Sequence, residues 1–362
     1  MKKESFGSID ILKFVCALLV VVLHVSTYAF AGLAVDSAPP TGKDNPFLFF
    51  LPIAFTILRI AVPMFFIASG FLLFKKIKEN PDDAKSIVKN YCLRIFKLYL
   101  FWFIISIPIM IDKYIIVAEG TLGERIFSLF WHIVFYGGFD GAWYLLATIV
   151  SVWLVYTLSR KMQNKHILML AGGFYALAVL CGTYFHLFDG TVLGSILGFF
   201  NSTVPLYHTF LNGTIFVLLG KMFAEKDRLF GKKTTLSLLC TLPFIMYGEL
   251  LITNYFGLNF ATDCFFTLAI FAPILFQFVL DRKISSGKTL VLLRNSSTFI
   301  YMFHFVFLYV LYRCANAFGW TAFTENILVI IGVYIAIVAL GIFLCCLTKK
   351  LSKKIKVLKY AI

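Results

Sequence analysis

Apolar residues run in long blocks along this chain, and polar residues gather in the short gaps between them. Ten blocks can bring about 20 apolar residues into one helix, the length that crosses a hydrocarbon core. They cover about 9–31, 47–74, 94–112, 141–159, 166–186, 206–224, 234–252, 262–280, 293–313 and 326–348. The pattern predicts an all-α, polytopic integral membrane protein, about ten transmembrane helices in a single domain, with no soluble accessory domain. Pro52, Pro63, Pro205, Pro243 and Pro273 fall in or beside these blocks. Membrane helices tolerate such breaks where neighbouring groups satisfy the freed backbone. Segments 31–46 and 187–205 are long and rich in Gly, Pro, Ser and Asp, which fits a polar entrance. Between 112 and 140, the stretch GERIFSLFWHIVFYGG is amphipathic, as expected of a helix lying along the interface or re-entering.

Composition agrees. Of 362 residues, 60% are hydrophobic and 14% charged, where soluble domains sit near half apolar and a quarter charged. A net charge of +15 would fit nucleic acid if it formed one surface, but it does not. Of 33 basic residues, 27 fall at the N-terminus, in every second gap and in the tail TKKLSKKIKVLKY. That is the positive-inside pattern, and it puts both termini in the cytosol of a multi-pass protein of the plasma membrane. No nucleic-acid partner is expected. The first apolar run is too long for a cleavable signal and lacks a small-residue cleavage site. The eight cysteines include no C-x-x-C and lie mostly in apolar runs, so they read as small core residues rather than disulfides or metal ligands. No internal repeat is visible, which counts against a transporter of duplicated halves.

Two basic residues remain inside spans, Lys13 and Arg59. A charge there is costly and usually faces a protein interior or water. His24 lies three turns beyond Lys13 on the same helix face, about 16 Å further along. Counted from the cytosolic ends of their spans, His24 and Arg59 are each about 22 Å deep, His304 about 16 Å, and Lys13 and Ser69 about 6–7 Å. Two polar layers follow, one near the cytosolic boundary and one deep. Such spacing suits a long ligand that enters from the cytosol and reacts inside. Each residue also has a plain structural reading. Lys13 could snorkel to headgroups, a single His could be a hydrogen-bonded interior residue, and Trp143 and Tyr144 could be interfacial belt aromatics. His132, His166, His186 and His208 take no role, and Glu249 and Asp263 read as solvated residues beside an outer gap.

Five blocks, in order along the chain, resemble membrane-bound acyltransferase family 3, bacterial integral-membrane O-acyltransferases. SIDILKF with Asp10, Lys13 and then His24 is similar to its basic-x10-His opening. RIAVPMFFIASGFLLFKK, with Arg59, Ser69 and Gly70, is similar to its second-span block. YCLRIFKLY resembles an Arg-x-x-Arg block, with Arg94 in the first place and Lys97 in the second. GAWYLLATI, with Trp143 and Tyr144, resembles the fourth-span block, and STFIYMFHFVF, with His304, the Tyr-x-x-His block.

The resemblance implies an enzyme that moves an acyl group, usually acetyl, from cytosolic acyl-CoA to a hydroxyl of a cell-envelope glycan or lipid-linked sugar. Acyl-CoA is then a substrate, and no tightly bound cofactor or metal is expected. On that reading His24 is general base or acyl carrier, with Arg59 as its partner at the oxyanion or the acceptor. Arg94, Lys97 and Lys13 meet the donor's phosphates. Lys97 lacks the bidentate fork of an Arg. The competing class is a transporter or flippase of a polar envelope compound, whose ionisable groups would line a pathway. A sensor or assembly protein on an inactive scaffold is a third.

Overall fold

The computed structural model describes residues 6–30, 56–226, 228–285, 287–320 and 327–361. Its regular elements are helical, with no strand among the described residues. In chain order the α-helices are α1 (Gly7–Phe30), α2 (Ala61–Glu79), α3 (Ala84–Ile111), α4 (Leu122–Tyr136), α5 (Ala142–Ser159) and α6 (Asn164–Cys181). They continue with α7 (Val192–Thr203), α8 (Phe210–Glu225), α9 (Lys232–Tyr255), α10 (Phe266–Leu280), α11 (Lys288–Ala317) and α12 (Ile327–Leu351).

Eight stretches are long and apolar enough to span a bilayer: Gly7–Val25, Thr56–Glu79, Ala84–Ile116, Ala142–Ser159, Asn164–Cys181, Lys232–Tyr255, Lys288–Ala317 and Leu328–Leu351. The sixth and eighth predicted spans are present as α8 and α10, but at 16 and 15 residues they are about 22–24 Å long, short of a full core. The reason is visible for α8. It is buried from Leu211 to Ala224 on nearly every side, packed against α2, α5 and α6, so protein rather than lipid surrounds it.

Boundaries shift in two places. The helix of the second span ends at Glu79, five residues beyond the predicted end, and α3 starts ten residues early at Ala84. The first part of that second span, 47–55, and the entrance segment 31–46 lie outside the described residues. The second gap, 187–205, is not an open loop, because α7 fills most of it.

The α2–α8 crossing is built on glycine. A Cβ at Gly70 would stand 2.3 Å from the Val217 carbonyl oxygen, and one at Gly220 2.2 Å from that of Ile67. Small residues let membrane helices touch backbone to backbone where the hydrophobic effect between them is absent. Gly70, expected near substrate, lies in this backbone-to-backbone crossing.

At the far end, α4 follows a π-helical turn, Asp112–Ile116. Thr121 and Glu124 form a capping box at its start. Leu122, Ile126, Phe127, Phe130 and Val134 form an exposed apolar stripe, while Trp131 donates to the Thr203 carbonyl at 2.9 Å and pins the helix to α7. The amphipathic stretch therefore lies against the bundle with its apolar face outward. Glu249 is not solvated: it accepts from the Phe266 and Thr267 amides at 2.8 and 2.9 Å and caps α10. All eight cysteines are free.

Candidate functional site

Helices α1 and α11 start side by side. The Gly7 amide donates to the Ile284 carbonyl at 3.2 Å, and Asp10 on the first turn of α1 lies 4.0 Å from Arg294 on the first turns of α11. The two helices run together from there, so His24 and His304, each about 25 Å along, reach the same height. They touch: His304 Nε2 is 3.4 Å from His24 Nδ1, and the rings are 5.1 Å apart. His304 is fully buried.

The hydrogen bonds assign the tautomers. His24 Nδ1 lies 2.8 Å from the Val20 carbonyl and His304 Nδ1 3.1 Å from that of Ile300. A carbonyl can only accept, so both Nδ1 atoms carry the hydrogen when the rings are neutral. His304 Nε2 then presents a lone pair to His24 Nδ1–H. His24 Nε2 is left with a lone pair and, among the described residues, no partner. It is a base on the free side of the ring.

Arg59 closes this layer from α2. It occupies a turn just ahead of Ala61 rather than mid-helix, and it forms a short ion pair with Asp263. Its Nη2 also donates to Thr262 Oγ1 at 3.3 Å. Asp263 Oδ2 is 3.5 Å from His208 Nε2, and Trp143 stacks on His208 at 4.6 Å and 20°. Asp263 and His208 therefore correct the sequence reading, which left one solvated and the other without a role. Arg59, Asp140 and Asp263 all stand close enough to His24 to act on it electrostatically. Phe305 lies across the pair, its ring 4.6 Å from His24 and 3.9 Å from His304.

The second layer gathers at the α2–α3 end. Lys13 feels the charges of Arg94, Asp10 and Arg294. Here three cations meet one carboxylate. Arg94 lies 5.5 Å from the Tyr91 ring. Lys97, expected beside it, stands over Tyr360 at 5.1 Å and so packs against the C-terminal 3-10 turn Lys356–Ala361.

Hydroxyls and rings connect the layers. Tyr91 stands near Ser69, whose hydroxyl lies 3.5 Å from that of Tyr144. The Tyr144 ring is 5.6 Å from Tyr301, which is 6.0 Å from His304. Tyr144 and Trp143 thus face the interior and not a membrane boundary. A line runs from Arg94 through Tyr91, Ser69, Tyr144 and Tyr301 to the histidines. Tyr301 is the tyrosine of the Tyr-x-x-His block, and Tyr91 and Phe305 lie inside quoted blocks, but Arg294, Thr262 and Asp263 carried no site signal in the sequence, because each acts on a helix distant in the chain.

The chain belongs to acyltransferase family 3: the family's profile, described as an acyltransferase domain, matches residues 6–346. Eight stretches long and apolar enough to cross a bilayer agree with that membership and with a multi-pass membrane protein. Among curated relatives, an amino-acid racemase of Enterococcus faecalis is 26% identical over 265 residues, 71% of this chain and 33% of that protein. A serine/alanine racemase of Enterococcus gallinarum is 24% identical over 272 residues, 75% of this chain and 36% of that protein. The chain spans about a third of the length of these relatives. No solved structure matches it.

Proposed function

We propose that this protein transfers an acyl group, acetyl in the simplest case, from cytosolic acyl-CoA to a hydroxyl on a cell-envelope glycan or lipid-linked sugar. In this reading the chain crosses the plasma membrane ten times, α8 and α10 being short crossings, with both termini in the cytosol. The observation that carries the reading is the Nε2 of His24, which has no partner among the described residues, is backed by His304 and lies at the end of the hydroxyl line from the basic layer.

The donor's phosphates sit at Lys13, Arg94 and Arg294, where charge-assisted bonds are strongest. Its pantetheine arm follows Ser69, Tyr144 and Tyr301. His24 Nε2 takes the acceptor's proton as the hydroxyl oxygen attacks the thioester carbonyl carbon. The C–S bond breaks, and the proton passes from His24 to the leaving thiolate. His304 accepts from His24 Nδ1–H throughout and steadies the imidazolium. Arg59 has two of its nitrogens committed to Asp263 and Thr262, so the remaining N–H groups stay available for the developing oxyanion.

The test is acetyl-CoA consumption and thiol release by the purified protein, paired with mass spectrometry of envelope glycans with and without the gene. His24-dependent thiol release and loss of one acyl group support the transferase. A carrier, the competing reading, would release no thiol.

A further inference from the structure

A pocket opens at the α4 end, lined in part by Phe305, whose ring also packs against both histidines. Its walls are Lys113 and Tyr114 of the π-helical turn, His132 of α4, Gly138 to Asp140 of the next loop, Ser106 and Tyr309. It holds ≈ 350 Å³ of space counting its open mouth, of which ≈ 20 Å³, room for about one water, is closely enclosed. Gly137, Gly138 and Gly141 all take positive φ, at 81°, 89° and 82°. At Gly141 the backbone is also pressed against Phe305: a Cβ there would meet its ring at 2.4 Å. The loop thus seats one edge of Phe305, while the ring's aromatic neighbours are His24, His304 and, at 6.2 Å, Tyr301.

The lining has a definite chemistry. Lys113 Nζ and Asp140 Oδ1 are 3.6 Å apart, each 42% exposed, so donor and acceptor stand side by side with capacity to spare. Their charges cancel. Tyr114, His132 and Tyr136 stack in sequence at 4.6 and 4.9 Å, making an aromatic wall. Burial, with Lys113 next, pushes the His132 imidazole down to about 4 against the pull of Asp140, so at neutral pH it offers a ring and not a charge. Asp140 reaches both sites: it lines this pocket and acts electrostatically on His24. The line of hydroxyls leading to His24 approaches from the opposite end.

We infer that this pocket is the acceptor site, that it takes a neutral polyhydroxylated ring, and that Phe305 is the partition a hydroxyl must displace to meet His24. The proposal rests on the acyl-transfer reading and extends it by separating donor and acceptor entries. A sugar ring stacks in the mouth on Tyr114 and His132, Lys113 and Asp140 grip adjacent hydroxyls, and one hydroxyl occupies the water-sized enclosed space.

The experiment uses the purified full chain in detergent, with methyl β-glucoside, methyl β-galactoside and L-serine as probes in saturation-transfer NMR. At least one glycoside should bind the wild type, and Asp140→Asn and Lys113→Met should each weaken it about tenfold, the worth of one charge-assisted hydrogen bond. Lys113→Arg should retain binding, and Asp189→Asn, away from the pocket, should be silent. No glycoside signal, equal signals in the pocket variants, or a signal from L-serine alone would each overturn the proposal. Phe305→Ala tests the partition: it should raise acceptor-free, His24-dependent hydrolysis of acetyl-CoA severalfold, and an unchanged rate sinks that claim. Absence of His24-dependent thiol release in the wild type would instead strike the acyl-transfer reading itself.

Discussion

The two polar layers differ in how their charges are settled. At the α2–α3 end, Lys13, Arg94 and Arg294 surround Asp10 alone, and the cluster keeps a positive excess. At the α4 end the cations nearest the site are paired: Arg59 is held by Asp263 and Lys113 by Asp140. An uncompensated cationic cluster is a receptor for an anion. A compensated one fixes direction, because an ion pair with several bonds orients its members while adding little net field. The first layer is built to bind, the second to hold reacting groups in place.

That contrast can be broken. The largest effect should come from His24: His24→Ala should cut turnover by about 10²-fold or more, the usual worth of a positioned base, with donor binding intact. Gln should not rescue, since an amide cannot take the proton. Acyl transfer and acetyl-CoA binding measured on one preparation decide it, and near-normal turnover in the Ala variant would end the catalytic assignment.

Next is the carboxylate that holds Arg59. Asp263→Asn should lower turnover about tenfold, by releasing a charge-assisted bond, and leave the acetyl-CoA KM unchanged. Arg59→Lys should keep partial activity and Arg59→Met almost none, because Lys keeps the charge without the planar fork. A rise in donor KM without loss of turnover would erase the distinction between the layers.

In the basic layer the split reverses. Lys13→Ala should raise the acetyl-CoA KM by about tenfold with little change in kcat, and Lys13→Arg should be nearly silent. Added salt should partly mimic the Ala variant in the wild type, since Arg94 is exposed and Arg294 half-exposed, and such charges are screened.

The smallest effect carries the sharpest sign. Asp10→Asn removes the one carboxylate among three cations, so the donor should bind about twofold tighter. Losing an acid thus helps at one end and harms at the other. Weaker donor binding in Asp10→Asn would show instead that Asp10 orients Lys13 and Arg294.

Much of this was legible in the chain itself. Apolar runs, the amphipathic α4 and the basic bias are local properties, written in runs and periods that need no partner. The separation of Lys13 from His24 follows from rise per residue along α1, whereas the depth expected for Arg59 assumed a continuous helix where the structure has a turn. What the sequence could not show is who stands opposite. Asp263 reads as a solvated loop residue until α10 is placed beside α2, 204 positions away. His304 becomes the partner of His24 only because α1 and α11 start together, and Gly70 serves packing only because α8 crosses there. A side chain's chemistry is intrinsic, but its pairing depends on which helices are neighbours. Neighbour choice is decided by long-range packing, which no local pattern encodes.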